Sequence, residues 1–229
     1  MKKHYLILKP ILILLLVILT KVASAQVTAG PSDILTAAPT SAAGADKILC
    51  FGTAISLTGP PDAGGDTYHW YKNFSGGPQQ TDVNQTGRTY SEASGAAGWY
   101  YYQLVVENVN HCLSPISNPV KVYVLPELTV TLNSPSNFCA DGTTTALLTA
   151  TVPAAASTIG LTYAWTKTSG GLTTTVGTSN TYTVPAQSTA GTSTYTVSVT
   201  YTLNNGCLVT AFKTITVYAL PGQPSITAN

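Results

Sequence analysis

Tyr195-Thr196-Val197-Ser198-Val199-Thr200-Tyr201 alternates large apolar and small polar side chains over seven residues. Successive side chains of an extended chain point to opposite faces, so such a segment buries one face and wets the other. It reads as a β-strand. Ile215, Val217 and Ala219 alternate with Thr214, Thr216 and Tyr218 in the same way. Earlier in the chain, Tyr100, Tyr102, Leu104 and Val106 fall in step, as do Val120, Val122 and Val124. Clusters of Gly, Pro, Asn and Ser separate these runs, and no amphipathic helix is legible beyond residue 25. Threonine is frequent in the later strands, where extended backbone accommodates its branched Cβ.

A repeat organises the chain. Thr67-Tyr68-His69-Trp70 returns as Thr162-Tyr163-Ala164-Trp165, Tyr100 as Tyr195 and Cys112 as Cys207, each 95 residues later. Val122-Tyr123-Val124-Leu125-Pro126 returns at the same offset as Val217-Tyr218-Ala219-Leu220-Pro221. Cys50 and Cys139 are 89 apart, so the second unit holds six more residues between its first Cys and its Trp. A unit of this length suits one β-sandwich. The predicted fold is all-β: two tandem immunoglobulin-like β-sandwich domains after an N-terminal signal peptide. Their spans are 26–125, opening with a lead segment at 26–40, and 126–220, with a tail at 221–229. Trp70 and Trp165 fit the third strand of each unit, where an indole fills the space between sheets; Tyr100 and Tyr195 lead a later core strand. Pro126, with no Gly/Ser spacer after it, predicts a stiff join between the units.

Residues 1–25 stand outside this pattern. Lys2 and Lys3 are followed by a nearly pure Ile, Leu and Val run over 11–19 and by Ala23-Ser24-Ala25. That is the make-up of a secretory signal cleaved before Gln26. The run is too short to cross about 30 Å of hydrocarbon comfortably. A secreted or cell-surface location is expected, with no stable membrane insertion after cleavage. No Cys lies near the cleavage point to carry a lipid. Four of the ten Lys and Arg lie in this segment and all nine Asp and Glu follow it, which leaves an acidic excess of three. Such a surface has no basic stripe to neutralise phosphates, so nucleic acid is excluded as a partner.

Four cysteines, Cys50, Cys112, Cys139 and Cys207, form an even set in an oxidising compartment, where disulfides are the default. The order of landmarks favours Cys50–Cys112 and Cys139–Cys207, one bridge per unit, each contributing about 4 kcal/mol by chain entropy. Pairing across units is the alternative, and it would force the two units together. Zinc is disfavoured, because no Cys-x-x-Cys spacing occurs and only His69 and His111 follow the signal. No metal and no cofactor are expected.

The succession Cys50-Phe51-Gly52, Leu57-Thr58-Gly59, Tyr68-His69-Trp70, Tyr100-Tyr101-Tyr102, Cys112 and Val122-Tyr123-Val124 resembles a known pattern. It is similar to the Ig-like and PKD-like repeats of large secreted bacterial surface proteins, common in gliding bacteria that use type IX secretion. The resemblance covers nearly all of residues 40–220. It departs from antibody-type domains, whose second Cys lies within a strand, whereas Cys112 follows one beside the turn Asn108-Val109-Asn110. A bridge near the end of the sandwich is therefore expected. The family implies tandem display, adhesion or spacing, often with a C-terminal sorting domain. The stretch Pro221–Asn229 resembles the opening of a further repeat, and a partial reading frame is the expectation that follows.

Catalysis finds little material. The second unit has Glu127 and Asp141 as its acids, Lys167 and Lys213 as its bases, and no His. General acid–base chemistry is not assembled from that set. The first unit holds His69, His111, Asp62, Asp66, Asp82, Glu92 and Glu107, without a Gly-x-Ser-x-Gly nucleophile motif. The turns Asp62-Ala63-Gly64-Gly65-Asp66 and Asp141-Gly142 hold too few carboxylates for calcium and read as turn formers. The sharper candidate is aromatic. With Trp70 and Tyr100 inward, alternation puts His69, Tyr71, Trp99, Tyr101 and Tyr123 outward on one face; the second unit has Ala164, Thr166, Thr194, Thr196 and Tyr218 there. An exposed aromatic face fits a protein or glycan ligand. A covering loop, or a cross-strand ladder that only stabilises the sheet, is the competing reading. The function expected is a non-catalytic adhesin or rigid display scaffold. The alternative is a carbohydrate-binding accessory region of a larger secreted enzyme.

Overall fold

Alternation in the sequence becomes two successive sets of sheets. The computed structural model describes residues 31, 33–77, 80–81, 85–133, 135 and 137–227. The expected signal at 1–25, the start of the lead segment and Asp82 lie outside the described residues. In the first set, β1 (Lys47–Leu49), β7 (Val120–Val124), β6 (Gly98–Glu107), β3 (Thr67–Phe74) and β4 (Gln80–Thr81) make one sheet in that order, and β2 (Ala54–Thr58) pairs β5 (Thr89–Ala93) in another. In the second set, β9 (Phe138–Cys139), β15 (Leu208–Tyr218), β14 (Gly191–Tyr201), β11 (Leu161–Ser169) and β12 (Leu172–Gly177) follow the same plan. Facing them are β8 (Thr131–Leu132), β10 (Ala146–Thr151) and β13 (Thr181–Val184). Both sets run a short strand parallel to the last long one: β1 along β7 and β9 along β15. The chain is predominantly β-sheet, with an Ig-like sandwich arrangement of strands. One four-residue helical turn, Ala154–Ser157, interrupts it in the second set.

Each set encloses its own tryptophan-centred core. Trp70 packs with Ile55, Tyr90, Tyr100, Tyr102 and Val122, its ring 5.4 Å from that of Tyr90. Trp165 packs with Leu148, Val184, Tyr195, Val197 and Ile215. The two indoles also solve the same polar problem alike. A buried N–H without a partner costs free energy, and each donates to a turn carbonyl two residues before the fifth or thirteenth strand. Trp70 Nε1 reaches Gly87 O at 3.0 Å, and Trp165 Nε1 reaches Ser179 O at 2.8 Å.

The cysteine pairing within each unit is corrected. The bond joins Cys50 to Cys207, 157 residues apart, with Cα atoms 5.4 Å apart; Cys112 and Cys139 are free and exposed. Register supplies the reason. Cys50 follows Leu49, which lies opposite Val124 at the end of β7. Cys112 lies in the connection from β6 to β7, beyond the other end. The five residues of β7 separate them by about 17 Å, and Cα atoms more than about 7 Å apart cannot be bridged. In the second set, Cys139 opposes Tyr218 at the end of β15, while Cys207 precedes its start. The bridge therefore runs from the far end of the first set to the near end of the second. This is the cross-unit pairing that forces the two together, and Ile34–Asn229 forms one compact unit.

Replacing the fully buried Trp165 with Ala removes the centre of the second core and orphans Ser179 O. The expected loss is about 3–5 kcal/mol, read as a lower denaturant midpoint; a shift below 1 kcal/mol contradicts this packing.

Candidate functional site

Trp99 and Tyr101 leave the outer face of β6, while Tyr100 and Tyr102 enter the first core from its inner face. Tyr123 stands opposite Trp99 on β7. The sequence places these rings in water; the structure takes them out of it. Trp99, Tyr101 and Tyr123 are 2, 1 and 7% exposed. The five-membered exposed face is thus corrected: only His69 and Tyr71 remain half-buried at the surface. The reason is energetic, since burying a large apolar side chain is worth roughly 1.5–3 kcal/mol and two neighbours are available to cover these rings.

The first cover is the lead segment. Trp99 Nε1 donates to Ala37 O at 2.7 Å, and Leu35 N donates to the Tyr101 hydroxyl at 2.6 Å. The second is the following set of strands, which brings Ala156, Ile159, Tyr201 and Cys207 into one cluster with the three rings and Leu125. The rings brace one another, Trp99 edge-on to Tyr123 at 5.0 Å and tilted against Tyr101 at 6.1 Å. The helical turn Ala154–Ser157 delivers Ala156 and, just beyond it, Ile159 to this joint.

Polar contacts pin the joint at both ends. Tyr201 Oη donates to Pro126 O at 3.0 Å, and Asn204 Nδ2 donates to Ile48 O at 2.9 Å. The Cys50–Cys207 bridge closes the same seam. Burial pushes the Tyr201 phenol up to about 12, with Tyr123 nearby adding to the rise. Two shallow clefts flank the seam. One of ≈ 410 Å³ is lined by Thr36, Trp99, Tyr123, Pro126 and Ile159 among others; one of ≈ 290 Å³ runs beside the disulfide, along Phe51, Glu127 and Tyr201. The first has no charged side chain in its lining. What the seam offers is apolar area, phenols and carbonyls, which hold two bodies together and transfer no proton.

Apart from Glu127 at the second cleft and the phenols of the seam, the ionisable side chains mostly satisfy their own loops. Glu107 takes His111 Nδ1 at 2.6 Å and His69 Nε2 at 2.8 Å, contacts that hold its carboxyl below the usual range. Asp62 Oδ1 accepts from Gly64 N and Asp66 N, and Asp66 Oδ2 from Ala63 N. Asp141 accepts from the hydroxyl and N–H of Thr144 and from Thr143 N, and is held well below the usual carboxylate range. Lys72 reaches Glu92 at 2.6 Å and ties β3 to β5 across the two sheets. Among the described residues no group of three His, Cys, Asp or Glu converges as a metal site.

Residues 37–126 match the family described as "Ig-like domain CHU_C associated". No curated protein matches the chain in sequence. Among solved structures, the fibronectin(III)-like modules of Clostridium thermocellum CbhA are 17% identical, with a TM-score of 0.36 over 80% of this chain and 96% of that one. Three N-terminal domains of the bacteriophage RB49 highly immunogenic outer capsid protein are 20% identical, with a TM-score of 0.33; 75% of this chain covers 56% of that one. A marsupial T cell receptor is 12% identical, with a TM-score of 0.49 over 78% of this chain and 72% of that one.

Alkali tests the seam. With its folded pKa above the ordinary phenol value, Tyr201 holds its proton more tightly folded than unfolded, so its contribution is complete below about pH 10. It is lost as pH rises toward 12. Tyr201→Phe is expected to cost about 1 kcal/mol at neutral pH, through the lost bond to Pro126 O, and to flatten the decline in stability between pH 10 and 12. Denaturation at stepped pH reads both; an unchanged alkaline slope counts against a buried, protonated Tyr201.

Proposed function

We propose, from the match of residues 37–126 to the family described as "Ig-like domain CHU_C associated", that the chain is a rigid, exported, non-catalytic surface module. In this reading 1–25 is a signal peptide, and 26–125 and 126–220 are two Ig-like or PKD-like domains. The segment 221–229 opens a further repeat. The molecule acts outside the cell in adhesion or as a display scaffold. The observation that carries this is the covered aromatic seam. A binding face on the first unit would leave Trp99 and Tyr101 in water; here their contact area and hydrogen bonds are spent on the lead segment and on the second unit.

Rigidity is what such a seam supplies. Interfaces between domains of one chain are ordinarily polar and permit relative motion. This one combines apolar burial with a covalent bridge, which restrains hinge motion about Pro126. A stiff spacer holds its distal end at a defined distance from its anchor, as display requires, whereas a flexible one spreads that end over a volume.

Small-angle scattering of residues 26–229 is expected to fit a single fixed arrangement of the two units. Reduction combined with Trp99→Ser and Tyr101→Ser is expected to broaden it into an ensemble. A broad ensemble from the intact oxidised protein defeats the rigid-spacer reading. Glycan-array binding that Trp99→Ser abolishes in a folded variant favours the carbohydrate-binding alternative instead.

A further inference from the structure

We propose that copies of this chain join end to end, Cys139 of one copy bonding to Cys112 of the next in a link that repeats the internal Cys50–Cys207 bridge. The internal bridge has two kinds of end. One is a Cys on or just after the short strand that runs parallel to the last strand of its set: Cys50 beyond β1. The other is a Cys in the connection between the last two long strands: Cys207, between β14 and β15. The chain has a second example of each kind. Cys139 ends β9, and Cys112 lies between β6 and β7, 95 residues before Cys207. These two are the free, exposed thiols. One of each kind is thus left over, on opposite ends of the two-set body, so the C-terminal end of one copy presents what the N-terminal end of another accepts.

The surface beside Cys139 supports the same conclusion independently of sulfur. Tyr123 and Leu125, at 7 and 0% exposure, are covered at the internal joint. Their counterparts 95 residues on, Tyr218 and Leu220, are each 54% exposed. At the other end, Val109 and Leu113 stand exposed on either side of Cys112. At the Cys139 end, therefore, two apolar side chains stand in water whose counterparts the internal joint buries, while at the Cys112 end Leu113 is exposed as its counterpart Leu208 is. The copy is not identical in detail: Cys139 lies opposite Tyr218, whereas Cys50 follows the residue opposite Val124. Cys139 is two residues earlier along the same face, so the next copy would seat about 7 Å nearer than the internal joint does. Because the two surfaces differ, the contact is heterologous and propagates as a chain of copies rather than closing as a two-fold dimer.

Forming the bond removes two protons and two electrons from the two thiols. The acceptor is a disulfide oxidant of an oxidising compartment, which is reduced to two thiols as the Cys112–Cys139 bond forms. The inference stands on the repeated geometry and is independent of the adhesive reading.

Purified residues 26–229, incubated with oxidised glutathione, are expected to give a ladder of multimers on non-reducing gels that collapses on reduction. Mass spectrometry should recover a peptide linking Cys112 to Cys139. Cys112→Ser and Cys139→Ser alone should each remain monomeric, with Cys50–Cys207 intact. Mixed together, they should give a dimer and nothing larger. Tyr218→Ser with Leu220→Ser, both surface changes, should slow linkage about tenfold, equivalent to 1.4 kcal/mol of docking. A wild-type chain that stays monomeric overturns the proposal. So does symmetric Cys112–Cys112 or Cys139–Cys139 linkage by the single variants, which would mark the thiols as merely reactive.

Discussion

The outer face of β6 cannot stand in water, and most of what distinguishes this molecule follows from that constraint. A strand in a two-layer sandwich ordinarily buries one side. From Trp99 to Val105 every residue of β6 is buried. The inner side is covered by the facing strands β2 and β5. The outer side has no sheet to cover it, so the chain supplies a lead segment from one direction and a second set of strands from the other. Once both are in place, the connection through Pro126 has little freedom left, and the bridge between Cys50 and Cys207 makes the arrangement covalent. That bridge closes a loop of 157 residues, which chain-entropy reasoning values at about 5 kcal/mol.

The alternating strands were legible in the sequence because period-two patterning is a local property. Tyr195 to Tyr201 shows it plainly, and β14 buries every second residue there. The 95-residue repeat was legible for the same reason, since each landmark sits in a strand or turn that both sets use. The cover over the aromatic face was not, because it depends on which distant segments come to lie against it. One signal was present all the same. Trp99-Tyr100-Tyr101-Tyr102 is an unbroken aromatic run, and an unbroken apolar run, as opposed to an alternating one, marks a strand buried on both sides. The corresponding Thr194-Tyr195-Thr196-Val197 alternates, and its outer face stays wet. The cysteine pairing is not legible from order along the chain, because order does not give proximity. The strand between two cysteines, β7 or β15, sets their distance, and it holds each expected pair apart.

Comparing the two sets shows how one framework carries different outer surfaces. On β14 and β15 the outward positions are largely threonines. They meet across strands, Thr194 with Thr214 at 3.1 Å and Thr192 with Thr216 at 3.5 Å. Hydroxyls paired in this way satisfy one another and remain hydrated, so the sheet needs no cover. Aromatic side chains in place of threonines at the outward positions of β6 turn a free surface into a joint, while the inward Tyr100/Tyr195 and Val122/Val217 positions and the tryptophan hydrogen bond are common to both sets.

The separation of the bonded cysteines along the chain also bears on the order of events as the polypeptide emerges N-terminus first. Cys50 appears with its thiol exposed, and both Cys112 and Cys139 arrive before Cys207 does. An unfolded chain oxidised at that stage would capture the wrong partner. Pairing of β1 and β6 with β7 prevents the first error by fixing Cys50 and Cys112 at opposite ends of a finished sheet, so folding of the first set ahead of oxidation narrows the partners open to Cys50.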